Sequence, residues 1–299
     1  MQPYSDDQIR SVLLAMQRDK PAYGELLGVY RELFLAQNRL AAQPEPLDLA
    51  LDRNAAHQRL MGGRSLFSPE TFPLDPEAHT AFLQAVCDLV ETAPDPLAHC
   101  ASQVANALSK DELDMAALGN ALLKDDEQGL ARYAADMGMD AGALRFLLAN
   151  ALVPLAARFA NKAAVLLTDA PIWERGRCPI CGHLPSLSAL AVEGARTLIC
   201  AFCQHQWTVP RIFCPACETR DSGAIVYFFN QQEAEYRVYT CEACHFYLKT
   251  VDLSLLERPF YPPAEVLLTL HLDIQAQEQG FTTEAAGAEE AEARSVSPI

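Results

Sequence analysis

Eight of the ten cysteines in this chain fall in four Cys-x-x-Cys pairs: Cys178/Cys181, Cys200/Cys203, Cys214/Cys217 and Cys241/Cys244. Thiolates are soft metal ligands. A Cys-x-x-Cys turn lets two of them reach one ion while backbone amides in the turn donate to the sulfurs, and two such turns complete a tetrahedron. Four pairs in so short a stretch predict two four-cysteine sites. Sequential pairing leaves 18 residues between Cys181 and Cys200 and 23 between Cys217 and Cys241, against 32 and 37 for crossed pairing. The shorter spacings lie closer to those usual for such modules, so the first pair is expected to join the second, and the third the fourth. In Cys178-Pro-Ile-Cys181-Gly182 the glycine allows a tight backbone turn beside a metal.

Other chemistries use similar strings. Cys241-Glu-Ala-Cys244-His245 matches a haem-attachment motif, but the pair already has a partner in Cys214/Cys217. A thioredoxin-like dithiol needs a βαβ setting that this segment lacks, whereas an iron–sulfur cluster is compatible with the ligand count. Four protein ligands per ion leave no open position for water or substrate. The sites therefore point to a scaffold or to electron transfer. No catalytic residue is predicted, and the chain reads as a non-enzyme. His183 and His205 are read as surface residues rather than groups supporting the ligands, and Cys87 and Cys100 as ordinary buried thiols.

Apolar residues recur at helical spacing through most of residues 5–168, and Pro154 inside the last stripe predicts a kink or two abutting helices. From residue 171 the segments become short and β-leaning, with strand candidates at 187–192, 197–200, 207–213, 224–229 and 236–240. Helical spacing returns over 263–279 through Val266, Leu267, Leu270 and Ile274, and an Ala/Glu-rich stretch from 282 reads as disordered. The expected fold is α+β: an all-α domain (1–170), two small rubredoxin-like or zinc-ribbon β modules (171–212 and 213–281, the second with a C-terminal helix), and a tail (282–299). Phe228, Phe229, Phe246 and Tyr247 are expected to pack beneath the small sheet.

With 23 Lys and Arg against 39 Asp and Glu, the 299-residue chain carries a net charge of −16, which opposes phosphate backbones and anionic lipid. Between residues 175 and 250, seven basic side chains face six acidic ones. That balance is not the basic footprint of a nucleic-acid module. There is no long uncharged apolar run, so no membrane insertion is expected. The N-terminus has no secretory pattern, so a cytoplasmic location is expected.

Five blocks together resemble the formate dehydrogenase accessory proteins: Trp173-Glu-Arg-Gly-Arg-Cys-Pro-Ile-Cys-Gly-His-Leu-Pro185, Leu198-Ile-Cys-Ala-Phe-Cys-Gln-His-Gln-Trp207, Arg211-Ile-Phe-Cys-Pro-Ala-Cys217, Tyr239-Thr-Cys-Glu-Ala-Cys-His-Phe-Tyr-Leu-Lys-Thr-Val-Asp252 and Leu268-Thr-Leu-His-Leu-Asp-Ile-Gln-Ala-Gln-Glu-Gln-Gly280. All eight paired cysteines stand at matching positions; the helical region is similar in texture only, and the acidic end departs from the pattern. The resemblance implies a cytoplasmic factor needed for active respiratory formate dehydrogenase. Such a factor would act on the catalytic subunit, which contains molybdenum and iron–sulfur clusters, before export or membrane assembly. It also implies two rubredoxin-like metal sites, with iron as the suggested ion and zinc as the alternative. A proofreading chaperone and a redox agent both fit. A rubredoxin-like electron carrier and a nucleic-acid-binding zinc ribbon stand as the other readings.

Overall fold

The computed structural model describes residues 4–46, 48, 49, 51–168 and 172–283. The predicted disordered tail lies outside them from residue 284, while Thr282 pairs with Phe246 in an isolated bridge. Two compact units emerge: residues 1–50 with 67–165, and residues 51–66 with 166–299.

The first unit is helical: α1 (Asp6–Asp19), α2 (Gly24–Ala41), then α4 (Pro76–Leu89), α5 (Leu97–Ser109), α6 (Met115–Leu123), α7 (Glu127–Asp136) and α8 (Ala141–Ala163); α3 (Arg53–Met61) belongs to the second. α1 starts at a capping box formed by Ser5 and Gln8. Five other helices start at aspartates 52, 75, 114, 126 and 140, each accepting the N–H three residues on at 2.7–3.0 Å. Each such cap contributes about 1 kcal/mol and sets a negative charge at the positive end of the helix, so part of the acidic excess has a structural use.

α8 packs against α2, α4, α5, α6 and α7, and its stripe is buried nearly all round. Among the described residues, Ala141–Leu167 is the one helical stretch long and apolar enough to cross a membrane, and 67 % of its apolar window is buried inside the protein. Pro154 lies within a continuous helix rather than between two. Proline has no N–H for the carbonyl of Asn150, four residues earlier; Gln37 Nε2 donates to that carbonyl at 2.9 Å. His79 is buried and lies 3.1 Å through Nε2 from the Leu148 carbonyl, and burial lowers its pKa.

The second unit holds a six-stranded mixed sheet: β1 (Pro185–Leu190), β2 (Arg196–Cys200), β3 (Gln206–Val209), β4 (Ile225–Phe228), β5 (Tyr236–Cys241) and β6 (Tyr247–Asp252), in the order β3-β2-β1-β6-β5-β4. All pairs are antiparallel except β1 with β6, where Ser188 stands opposite Thr250 and Leu190 opposite Asp252. The sheet is therefore one three-stranded unit used twice, side by side, and β1 and β6 join the copies.

The strand candidates match β1 to β5 within a few residues, but β6 has no counterpart among them. All six of its residues are buried, including Lys249 and Asp252. A central strand covered on both faces shows no alternation, and its two charged residues resemble solvent-facing ones. They are paired instead: Lys249 Nζ reaches Asp273 at 2.6 Å, and Arg237 pairs with Asp252.

The C-terminal helix is two helices, α9 (Pro262–Leu268) and α10 (Leu270–Glu278), broken at Thr269. The break resets the helical phase. Leu272 and Ala276 face a core of Leu187, Ala189, Ile199, Tyr236, Val238, Tyr247 and Val251, while Leu270 and Ile274 of the expected stripe are exposed. Phe246 and Tyr247 are buried as expected; Phe229 is half exposed.

Candidate metal centres

Each Cys pair makes the same knuckle. The first cysteine's N–H donates to the carbonyl five residues on, in Cys178→His183, Cys200→His205, Cys214→Thr219 and Cys241→Phe246, at 2.9–3.0 Å. The residue after the second cysteine has a left-handed backbone: Gly182 (φ 78°), Gln204 (57°), Glu218 (60°) and His245 (58°). Gly182 shows this in sequence; the other three positions carry side chains and hide it. The knuckles lie just before β1, between β2 and β3, between β3 and β4, and between β5 and β6. Cys200 stands opposite Pro185 of β1 and Cys241 opposite Ile225 of β4, so sheet register brings the second knuckle of each copy to the first.

The sulfurs gather as Cys178, Cys181, Cys200 and Cys203, and as Cys214, Cys217, Cys241 and Cys244, each set within 4.8 Å. This is the sequential pairing. Nearest sulfur separations are 3.4–3.6 Å in the first set and 3.6–3.7 Å in the second. A disulfide needs about 2.05 Å; a tetrahedron with metal–sulfur bonds of about 2.3 Å has edges of about 3.8 Å. The separations fit the tetrahedron.

The thiols of each set perturb one another. Burial alone would raise the Cys200 thiol, but hydrogen bonds from Cys178, Cys181 and Cys203 hold it well below the usual range, while burial first and its neighbours second hold Cys203 well above it. In the second set, hydrogen bonding with Cys241 and Cys244 raises Cys214, and hydrogen bonds from Cys214 and Cys244 lower Cys241. Protein groups alone thus favour one thiolate beside neutral thiols. Four thiolates together require a positive ion among them.

The sets differ in enclosure. Every cysteine of the first is at most 1 % exposed, whereas in the second Cys217 is exposed and Cys244 half-buried. Residues around 65 strap the first knuckle: Ser65 Oγ donates to the Cys178 carbonyl and Leu66 N–H to the Pro179 carbonyl, both at 2.8 Å. Glu218, the left-handed residue of the third knuckle, accepts from Gly176 N–H and from Arg175 Nη1, both at 2.9 Å. A Cβ at Gly176 would lie 1.8 Å from the Pro215 carbonyl oxygen, so only glycine fits there. Trp207 Nε1 donates to the Arg175 carbonyl at 2.9 Å and Trp173 Nε1 to the Arg177 carbonyl at 2.8 Å. The Trp173–Arg177 block is therefore a structural strap.

His183 and His205 are both partly buried rather than at the open surface; the His183 ring stacks on Phe202 with centroids 4.7 Å apart, and burial pushes His205 down to about 4. Cys87 and Cys100 lie buried in the other unit, raised mainly by burial to about 12 and about 11.

Residues 177–211 match the family model described as FdhE, central domain. A protein FdhE homolog of Aquifex aeolicus is 24 % identical over 265 residues, 87 % of each chain. Another from Haemophilus ducreyi is 37 % identical over 119 residues, 38 % of each. The crystal structure of the FdhE protein from Pseudomonas aeruginosa shares the fold: TM-score 0.67, 22 % identity, covering 95 % of this chain and 96 % of that one.

Proposed function

We propose that this chain is a member of the FdhE family it resembles, a formate dehydrogenase accessory protein that binds the immature catalytic subunit and supports its maturation in the cytoplasm, without catalysing a reaction itself. Cys178, Cys181, Cys200 and Cys203 would hold one metal ion and Cys214, Cys217, Cys241 and Cys244 a second. Each ion would fix two of the four knuckles and, if it is iron, could also cycle between two charge states. The observation that carries the reading is the pair of complete thiol tetrahedra inside a likeness that runs along 87 % of the chain. Neither set leaves a coordination position for a substrate, which suits a binding scaffold.

The exposed Cys217 favours a second reading for the second site alone, since an electron-transfer centre must come close to its partner at the surface. One set of experiments tests both. Deleting the gene in its host should abolish formate oxidation while leaving the catalytic subunit synthesised, and the tagged protein should co-purify with that subunit. A deletion strain with normal formate oxidation rejects the accessory role. Element analysis and spectra of protein purified without air would then separate zinc, which cannot carry electrons, from iron.

A further inference from the structure

Arg196, the first residue of β2, is 1 % exposed and among the described residues has no carboxylate partner. Nε donates to Ser188 Oγ at 3.1 Å; Nη1 donates to the Phe213 carbonyl at 3.0 Å and, at 3.4 Å, to that of Arg211; the guanidinium lies 4.6 Å from the Tyr239 ring centroid. Nη2 is buried with no hydrogen-bond partner. A buried permanent cation without a counter-charge is costly, so such groups are normally found paired.

The geometry leads to the second cysteine set: the Phe213 carbonyl that Arg196 Nη1 grips at 3.0 Å is joined by the peptide bond to Cys214, the first cysteine of that set. A divalent ion with four thiolates carries two net negative charges. We propose that Arg196 is the internal counter-ion of the Cys214/Cys217/Cys241/Cys244 centre, so that a residue of the first β copy sets how firmly the second holds its metal. The inference rests on the proposal that both cysteine sets bind metal. It assigns Arg196 as a positioning and charge-balancing residue, not a ligand.

Zinc-loaded full-length protein is challenged with a colorimetric chelator, and the cysteines that lose metal are identified by alkylation and mass spectrometry. Arg196→Met should release the second set's zinc at least about tenfold faster, the size usual for loss of a supporting group at a metal site, with the first set unchanged. Arg196→Lys keeps the charge and should stay within about threefold of wild type. With iron loaded, Arg196→Met should lower the midpoint potential of the second centre, because the lost charge favoured the more negative reduced form. Equal release from Arg196→Met and wild type overturns the proposal. So does equal loss in the Lys and Met variants, which would make the role one of hydrogen-bond geometry alone. Wild-type protein that binds fewer than two ions rejects instead the metal assignment on which the proposal stands.

Discussion

Gly176 shows how a residue outside the Cys-x-x-Cys pairs can decide whether a site forms. The Pro215 carbonyl sits where its Cβ would be, and Pro215 lies inside the third knuckle. Gly176→Ala must therefore push the knuckle or the strap away, and Glu218 loses its hold on the Gly176 N–H. We expect a loss of several kcal/mol, in the range of severe backbone clashes, and a fall of about one metal ion per chain. Thermal melts with element analysis measure both, and a variant with wild-type stability and metal content refutes the clash. His79 gives a residue-scale prediction in the helical unit. Burial lowers its pKa, and the Leu148 carbonyl accepts from the neutral ring. The unfolded chain takes up a proton near pH 6.5, whereas the folded chain does so only at lower pH. The stability that His79 confers is thus fully present above pH 6.5 and lost as pH falls from there towards the depressed folded value. His79→Gln should flatten the dependence of unfolding free energy on pH between 7 and 5, followed by urea titration; an unchanged slope would mean that His79 protonates freely in the folded protein.

Elements were legible in the sequence where apolar residues mark them and obscured where charged side chains are buried in them. The edge strand β4 and its neighbour β5 stand out by composition and by the turn between them. β6 was hidden because Lys249 and Asp252 are buried and paired by side chains that are remote in sequence. The C-terminal stripe failed for a related reason: the break at Thr269, whose Oγ1 donates to the Glu265 carbonyl at 2.7 Å, changes which residues face the sheet. The gathering of the eight cysteines into two sets was plain from spacing alone. The buried cation beside the second set was not, since an arginine at a strand start reads as solvent-facing. α8 offers the element-scale prediction. Gln37 Nε2 serves the carbonyl that Pro154 leaves without a donor, and it also reaches Asn150 Oδ1 at 2.9 Å. Gln37→Ala should cost about 1–3 kcal/mol, the range for a buried acceptor left unsatisfied. In a Pro154→Ala background, which restores the helical N–H, the same change should cost measurably less. A double-mutant cycle by denaturant unfolding reads the coupling, and strict additivity would show that the carbonyl does not need Gln37.

The two units differ in what holds them at the scale of the whole molecule. The helical unit has a continuous aliphatic core around α8, and its two cysteines are buried within it. The sheet unit packs α10 on one face through Leu272 and Ala276 and places six fully buried cysteines where hydrophobic side chains would otherwise stand. If its shape depends on ions, metal release and local unfolding are one equilibrium there and separate events in the helices. Replacing Cys178 and Cys181 with serine should therefore remove one ion per chain and expose residues 175–210 to protease. The helical signal at 222 nm should change little. The effect should not stop at the first β copy. β1 is the neighbour of β6, and the Ser188 and Thr250 hydroxyls meet across that junction at 2.7 Å. Loosening β1 turns β6 from an interior strand into an edge, so its amides should exchange with solvent faster even though its own cysteine set is intact. Hydrogen exchange by mass spectrometry distinguishes the cases. Fast exchange confined to 175–210 would mean that the two β copies fold independently. Faster exchange in 247–252 with the second ion retained would mean that the shared sheet, rather than either metal alone, is the cooperative unit.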